Sequence, residues 1–344
     1  MDDYFLQILH QCRDPNLSER LHALEILEKE YLDQVKADFL LLCLRRASLY
    51  VEQTAILGIL SQMGPRAPVE ELTNILLDRD DSNEIPRFVV ADTLAALGED
   101  APVDVLIGIL QDPIEEIGLR EEIAGLLGGF GERVPLEVLI AAVGDAEPAI
   151  CAAGIGSLIE QGPRAPLDPI LAHVAHPEWY VRKAAVRALS SARERAPIEP
   201  IVAALDDIDP RVREAAAMGI DLLLEWFGSR VPLAPLVAAL GDEDANVRES
   251  SLDALANHPE YAPIELIVAA LKDQNPYVRC AALLVLERMG SNRVPEEVYP
   301  KLLEMTWTDS YPNARKYATK TLFILKGIPP GKAHDFPGEE FTGE

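Results

Sequence analysis

The sequence predicts an all-α protein built from about ten helical hairpins that stack into an α-α superhelix. Three observations predict it: a turn dipeptide at even spacing, a recurring motif at the start of the second helix of each hairpin, and an apolar composition poor in aromatic residues. The hairpins have to stack, because a unit of this length buries its apolar side only against its neighbours.

The turn is marked by an Ala-Pro or Val-Pro dipeptide that recurs every 31 to 35 residues. The prolines of these dipeptides are Pro68, Pro102, Pro135, Pro166, Pro197, Pro232, Pro263 and Pro295. A period in this range is typical of helical repeat proteins. The composition agrees, since 49% of the residues are apolar and only 6% are aromatic, and small or straight-chain residues favour closely packed helices.

The repeat from Ala196 to Pro232 shows how a hairpin begins. Pro197 lies in the turn, and Pro200 opens a short first helix, where its missing N–H would have had no partner. The carboxylate of Glu199 precedes it and is favoured near the positive end of the helix dipole. This pattern predicts a first helix directly after each Ala-Pro turn.

The second helix of this repeat is predicted between Asp209, which caps it, and Gly228, which ends it. Pro210 takes the first helical position. Glycine suits the C-terminus because it adopts the left-handed conformation without steric cost. Apolar residues recur between these ends at helical spacing, namely Val212, Ala215, Ala216, Ile220, Leu223 and Leu224.

The start of the second helix recurs in register along the chain. Residues 205–213, LDDIDPRVR, align with residues 240–248, LGDEDANVR, and with residues 271–279, LKDQNPYVR. Weaker copies occupy residues 143–151, 174–182 and 307–315.

This D-x-x-P-x-V-R core resembles the HEAT-repeat family, especially its bacterial form, which includes the HEAT-like repeats of phycobilin lyases. The turn sequence G-P-R-A-P, at residues 64–68 and 162–166, also looks like that family. The resemblance covers residues 47–326 clearly and residues 4–46 loosely. It implies the fold but carries little information about function.

The resemblance also implies a structural role for two residues of the motif. In HEAT proteins the matching Asp and Arg form a hydrogen-bonded ladder between repeats, which suits a carboxylate that accepts the forked guanidinium. The alternative is that they bind a ligand. The predicted ladder residues are Asp145, Asp207, Asp242, Asp273, Asp309, Arg182, Arg213, Arg248, Arg279 and Arg315. Cys151 stands at the arginine position of its repeat, and His176 stands at the aspartate position.

Aromatic and cationic residues near the starts of the second helices are candidates for a partner-binding site. The position of Tyr180 and Tyr277 is taken by Arg211 and Asn246 in other repeats, so the stack does not require an aromatic residue there. Exposed Trp, Tyr and Arg are common anchors of protein interfaces. The alternative is local packing against a loop. The predicted site residues are Trp179, Tyr180, Arg182, Lys183, Arg187, Tyr277, Trp307, Tyr311 and Lys316.

The net charge of −26, from 57 acidic and 31 basic residues, argues against nucleic acid and anionic membranes as partners. It disfavours a HEAT-like DNA glycosylase, which needs a basic face to hold DNA. The acidic surplus either attracts a protein with a basic surface or serves solubility alone.

No catalytic, cofactor or metal site is expected. The sequence contains no GxSxG, HExxH or P-loop motif, and His173 with His176 lack the further ligands that zinc requires. The four cysteines form no CxxC pair, as is typical of buried thiols in a reducing compartment. Because the N-terminus shows no signal-peptide pattern, we expect a cytoplasmic protein.

Residues 1–46 are predicted to form capping helices, residues 47–328 a solenoid continuous with them, and residues 329–344 a flexible tail. The function predicted from these features is a non-enzymatic scaffold or adaptor. It would bind a partner along its concave face or at the edge where the second helices begin, as a monomer or a weak homo-oligomer. The alternative is a phycobilin-lyase-like or chaperone subunit that acts on a protein substrate.

Overall fold

The computed structural model describes residues 3–79 and 85–327, and these residues form twenty α-helices and no strand. In chain order the helices make ten helix–turn–helix pairs, which confirms the predicted all-α repeat fold. The chain divides into two compact units, unit 1 ending at Pro169 and unit 2 beginning at Ile170.

Unit 1 contains five hairpins. Its helices are α1 (Asp3–Gln11), α2 (Leu17–Glu30), α3 (Ala37–Leu44), α4 (Tyr50–Ser61), α5 (Val69–Leu77), α6 (Arg87–Ala95), α7 (Val103–Gln111), α8 (Ile117–Leu126), α9 (Leu136–Val143) and α10 (Pro148–Glu160). The even-numbered, second helices pack on one another in chain order from α2 to α10. The apolar side of each hairpin is therefore covered by its neighbours, as the repeat spacing predicts.

Unit 2 repeats this plan, and the short helix α11 (Asp168–Leu171) spans the boundary between the units. The helices that follow are α12 (Trp179–Ser190), α13 (Ile198–Ala203), α14 (Pro210–Phe227), α15 (Ala234–Ala239), α16 (Ala245–Asn257), α17 (Ile264–Ala270), α18 (Pro276–Met289), α19 (Tyr299–Thr308) and α20 (Pro312–Leu325). The second helices again pack in chain order, from α12 to α20.

The core of unit 2 lies between successive second helices. In α14 the apolar residues that the pattern singles out are all buried; they are Val212, Ala215, Ala216, Ile220, Leu223 and Leu224. Gly219 brings α14 close to α12, because a Cβ at this position would clash with the Ser190 hydroxyl.

Polar side chains cap the second helices where the motif places them. Asp209 accepts a hydrogen bond from the Arg211 N–H at 2.9 Å at the start of α14. Asp244 and Asn275 take the same position at the starts of α16 and α18. A side chain that satisfies an N–H of the first turn stabilises the helix start by about 1 kcal/mol.

Most of the turns that follow the second helices contain a residue with positive φ; those after α2 and α16 do not. Gly228, which follows α14 as predicted, has a φ of 52°. In the turn after α12 the same conformation is adopted by Arg193, with a φ of 56°. This conformation costs a residue with a Cβ about 1 kcal/mol or more.

Arginines in these turns connect successive repeats of unit 1. Arg133 donates to the main-chain oxygens of Gly98 and Ala101, both at 2.6 Å. Arg66 donates to the oxygens of Leu32 and Asp33, both at 3.1 Å. Each turn is therefore bonded to the turn one repeat earlier.

The predicted boundary at residue 46 lies between α3 and α4, and the proposed capping role of residues 1–46 stays a prediction. The predicted tail, residues 329–344, lies outside the described residues. Among the helices that the structure describes, none is both long and apolar enough to cross a bilayer.

Candidate functional site

Arg182 of α12 reaches from its own repeat to the loop before α14. Its Nε and Nη2 donate to the two carboxylate oxygens of Asp207, both at 2.7 Å. Its Nη1 donates to the main-chain oxygens of His176 and Pro177, both at 2.9 Å. Asp207 also accepts the Asp209 N–H at 2.8 Å. One guanidinium therefore holds the loop of its own repeat and that of the next.

The same geometry recurs three more times in unit 2. Each arginine donates through Nε and Nη2 to the two oxygens of one carboxylate, at distances between 2.5 and 2.8 Å. Such two-bond pairs are geometrically specific as well as strong. The pairs are Arg213 with Asp242, Arg248 with Asp273, and Arg279 with Asp309.

The environment keeps both members of these pairs charged. Burial by itself would raise the pKa of Asp207, but the hydrogen bonds from Arg182 and from the Asp209 N–H outweigh burial and lower that pKa. The hydrogen bond to Asp207 in turn raises the pKa of Arg182. The Asp207 carboxylate is therefore held in its charged form by groups of two successive repeats.

Unit 1 contains related pairs that the sequence motif does not predict. Arg120 donates to Asp145 at 2.6 Å, so the predicted Asp145 has a partner that was missed. Arg87 donates to both oxygens of Glu115, at 2.7 and 3.0 Å. The signal available in the sequence is weak, because Leu119 replaces the usual valine before Arg120 and because Glu115 stands five residues before that arginine, whereas the motif has its aspartate six before.

Three positions of the motif depart from the ladder. Arg315 donates to its own loop, at the main-chain oxygen of Asp309, at 2.8 Å. Cys151, at an arginine position, is buried, and burial raises the pKa of its thiol to about 11. His176, at an aspartate position, accepts the Glu178 N–H through Nδ1 at 3.1 Å, which replaces the carboxylate in its own turn.

Half-buried Trp179 and exposed Arg211 form a stacked pair at the starts of α12 and α14. The central carbon of the Arg211 guanidinium lies 3.3 Å from the centre of the Trp179 ring. Asp209 holds this guanidinium by two hydrogen bonds, from Nε at 2.9 Å and from Nη2 at 2.7 Å. Tyr180 packs edge-on against Trp179, with ring centres 5.7 Å apart.

A second aromatic group lies at the starts of α18 and α20. The rings of Tyr277 and Tyr311 meet edge to face, with centres 5.6 Å apart. A hydrogen bond with Tyr311 raises the pKa of the Tyr277 hydroxyl. Tyr277 and nearby Trp307, in the last turn of α19, are both exposed. These rings project into solvent rather than filling the core.

Sequence reasoning missed Ile208, which is 90% exposed in the loop before α14. The signal was present, because other repeats carry proline or a polar residue at this position, as at Pro177, Glu243 and Gln274. We call the exposed and half-buried residues at, or just before, the starts of the second helices of unit 2 the entry edge. The entry edge comprises Trp179, Tyr180, Ile208, Arg211, Tyr277, Trp307 and Tyr311.

The predicted cationic residues lie on the second helices beside the entry edge. Lys183 Nζ lies 3.9 Å from a carboxylate oxygen of Glu214 on α14. Arg187 is exposed one turn further along α12, and Lys316 is exposed near the start of α20. Two helices, α14 and α16, separate the predicted residues on α12 from those on α18 and α20. The predicted site is therefore two clusters in one unit.

The family model for HEAT repeats matches residues 136–221, 167–242 and 233–322. Among curated proteins, no sequence matches this chain.

Solved structures share the fold at low sequence identity. One contains Kap95p, whose binding induces the switch loops of RanGDP to adopt the GTP-bound conformation; it has a TM-score of 0.58 and 12% identity, over 96% of this chain and 51% of that one. The E. coli protein YibA has a TM-score of 0.56 and 19% identity, and the match covers 78% of this chain and 95% of YibA. The karyopherin Kap121p, bound to the extreme C-terminus of the phosphatase Cdc14p, has a TM-score of 0.55 and 15% identity, and the match covers 94% of this chain and 42% of Kap121p. The chain thus spans about half the length of these two karyopherins or less.

Proposed function

This chain belongs to the HEAT-repeat family, and from that premise we propose that it is a non-enzymatic scaffold that binds a protein partner through the entry edge of unit 2. The observation that carries the proposal is the stack of exposed Arg211 on half-buried Trp179, which Asp209 holds in place. Trp, Tyr and Arg dominate the binding energy of protein interfaces.

The stack is organised before any partner arrives. Two hydrogen bonds and one ring face restrict the Arg211 side chain, so less rotamer entropy is lost on binding. The Tyr277 and Tyr311 rings restrict each other in the same way. Rigid aromatic anchors with polar tips are well suited to a protein surface.

The chemistry of the edge favours a protein over a nucleic acid. Arg182 is bonded to Asp207, and Arg211 is bonded to Asp209, so neither guanidinium offers an uncompensated charge to phosphate. The net charge of −26 opposes a polyanion over the whole molecule. Kap95p and Kap121p, which share the fold, are solved with protein partners, which supports the proposal by analogy.

The properties of the cysteines and histidines support a non-catalytic role. Burial raises the pKa of the Cys12 thiol to about 12 and that of the Cys151 thiol to about 11. A nucleophilic cysteine needs the opposite shift, because the thiolate is the reactive form. The rings of His173 and His176 stack with centres 5.9 Å apart, and His176 is used in its own turn.

The proposal is tested by co-purification from native lysate followed by mass spectrometry. The bait is the full chain, compared with a Trp179→Ala/Tyr277→Ala variant. Trp226→Ala/Tyr317→Ala is the matched control, because it also removes one Trp and one Tyr from unit 2, both exposed and away from the entry edge. We expect the wild type and the control to recover the same partner, and the edge variant to recover at least tenfold less. Equal recovery by the edge variant would remove the entry edge as the site, and recovery of no protein at any salt concentration would remove the scaffold role.

A further inference from the structure

A groove of about 580 Å³ lies between α12, α14 and α16 of unit 2, beside the entry edge. Buried Ala215, Gly219 and Ala254 line its floor. The small residues leave the space open, and the volume falls in the range of roughly 300–1,000 Å³ that is common for binding sites.

The side of the groove formed by α14 presents two exposed apolar side chains. Met218 is 54% exposed and Leu222 is 40% exposed, and both line the groove. They are four residues apart on one helix, so their side chains are neighbours. Exposed methionine and leucine in a concave surface are suited to apolar side chains of a partner, since methionine adapts its shape to what it contacts.

Negative charge exceeds positive charge in the groove, whose lining includes four carboxylates and one cation, Arg187 on the α12 side. Of the four carboxylates that line the groove, Glu214 lies near Lys183 at 3.9 Å, and Asp221 accepts a hydrogen bond from Asn257 at 3.0 Å. The other two, Glu249 and Asp253, lie one turn apart and form no ion pair with any residue that the structure describes.

The surroundings disfavour these two charges. Burial and the neighbouring charges of Asp253 and Glu214 raise the pKa of Glu249. Partial burial in the groove and the charge of Asp221 raise the pKa of Asp253. A cation placed between Glu249 and Asp253 would favour the charged form of both, and the four carboxylates outnumber Arg187, so the groove favours a cation over an anion.

We infer that this groove takes a segment of a partner protein in which a lysine or arginine stands next to leucine-like side chains. The cation lies between Glu249 and Asp253, and the apolar side chains lie against Met218 and Leu222. The inference rests on the proposed function, because it names the class of partner surface that the scaffold accepts.

The test is fluorescence anisotropy with the full chain and a labelled amphipathic peptide of Leu and Lys at helical spacing. Comparison peptides replace every Lys with Glu, or every Leu with Ser. We expect the Leu/Lys peptide to bind at least tenfold more tightly than either comparison peptide. We expect Glu249→Gln/Asp253→Asn and Met218→Ser/Leu222→Ser each to weaken its binding at least tenfold.

The matched control is Glu265→Gln/Leu266→Ser, which removes one exposed acid and one exposed leucine on α17, outside the groove. This control should bind the Leu/Lys peptide as the wild type does, and circular dichroism should show that every variant is folded. Unchanged binding by the two groove variants would overturn the inference. Equal binding of the Ser/Lys peptide would also overturn it, because the net charge of the chain would then be sufficient.

The outcome is separable from that of the proposed function. Trp179→Ala/Tyr277→Ala leaves the groove intact and should bind the Leu/Lys peptide normally. Failure of the peptide to bind the wild type therefore removes the groove inference and leaves partner capture at the entry edge standing.

Discussion

Arg213 of α14 and Asp242, in the loop before α16, join two successive repeats through two parallel hydrogen bonds, at 2.7 and 2.8 Å. Arg213 also donates to the main-chain oxygen of Asp207, in its own repeat, at 2.9 Å. Because Arg213 is buried, these partners offset the cost of removing its charge from water.

We expect Asp242→Asn to lower the free energy of unfolding by about 2–3 kcal/mol, because it leaves a buried guanidinium without its carboxylate. Chemical denaturation followed by circular dichroism measures the change. Glu243→Gln is the matched control, since Glu243 is 3.4 Å from the same guanidinium but its side chain is 87% exposed; it should cost at most about 0.5 kcal/mol. Equal effects of the two substitutions would contradict the structural role of Asp242.

The ladder predicts loss of stability in acid. Burial opposes the shift, yet hydrogen bonds from Arg213 and Arg248 lower the pKa of Asp242 and of Asp273 in the folded protein. A lowered carboxyl pKa contributes stability above the unfolded value, near 3.8, and this contribution is lost as the pH falls through the folded pKa. Denaturation at pH 7, 4 and 3 should show a fall below pH 4, and Asp242→Asn should make the fall shallower. If the free energy of unfolding did not fall between pH 4 and pH 3, the ladder would not contribute to stability in this way.

Asp92, on α6 of unit 1, should act in the opposite direction. Burial, the charge of Glu122 and a hydrogen bond shared with it raise the pKa of Asp92 to about 6. The folded protein therefore holds this proton more tightly than the unfolded chain, so stability falls as the pH rises from about 4 to 6.

Replacing Asp92 with Asn removes this penalty, and we expect a gain of about 1 kcal/mol at pH 7 and no gain at pH 4; the full value of the pKa shift is not expected, since the side chain is only partly buried. Thermal melts at the two pH values measure it. Glu121→Gln, an exposed neighbour of Glu122, is the control and should change little. A variant that is less stable than the wild type at pH 7 would refute the account.

Replacing two glycines of α10 with alanine should change the stability of the protein in opposite directions. A Cβ on Gly154 would lie 2.8 Å from main-chain atoms of Ala142 and Val143 in α9, whereas a Cβ on Gly156 would meet nothing within 4 Å. We expect Gly154→Ala to destabilise the protein by about 1–3 kcal/mol through overpacking. Gly156→Ala should stabilise it by about 0.5–1 kcal/mol, because alanine favours the helix. If the melting temperatures of both variants shifted in the same direction, the close packing of α9 on α10 would be contradicted.

Arg193 has a φ of 56° in a turn where glycine serves elsewhere. Arg193→Gly should raise the free energy of unfolding by about 0.5–1 kcal/mol by removing the cost of the left-handed conformation. Urea denaturation measures the change, and Arg193→Ala serves as the control because it keeps the Cβ and should bring no gain. If both variants behaved alike, strain at this turn would not be the cause.

Much of the fold could be read from residues that act locally. Asp209 caps the start of α14, Pro210 takes its first position and Gly228 follows its end, so the boundaries of α14 follow from residues that act locally. The candidate site was harder to predict from the sequence. The rings of Trp179 and Tyr277 were predicted to face a partner, but the sequence does not show that Arg211 stacks on Trp179 or that Ile208 stands in solvent.

The sequence by itself determined the repeat, its period, the helix ends and the all-α class, because capping, turn conformation and apolar periodicity depend on neighbours along the chain. Only the tertiary structure decided that Arg120 bonds to Asp145, and that Met218 and Asp253 line one groove. Those relationships join side chains a whole repeat apart, and their distances follow from how one helix packs on the next rather than from spacing in the sequence.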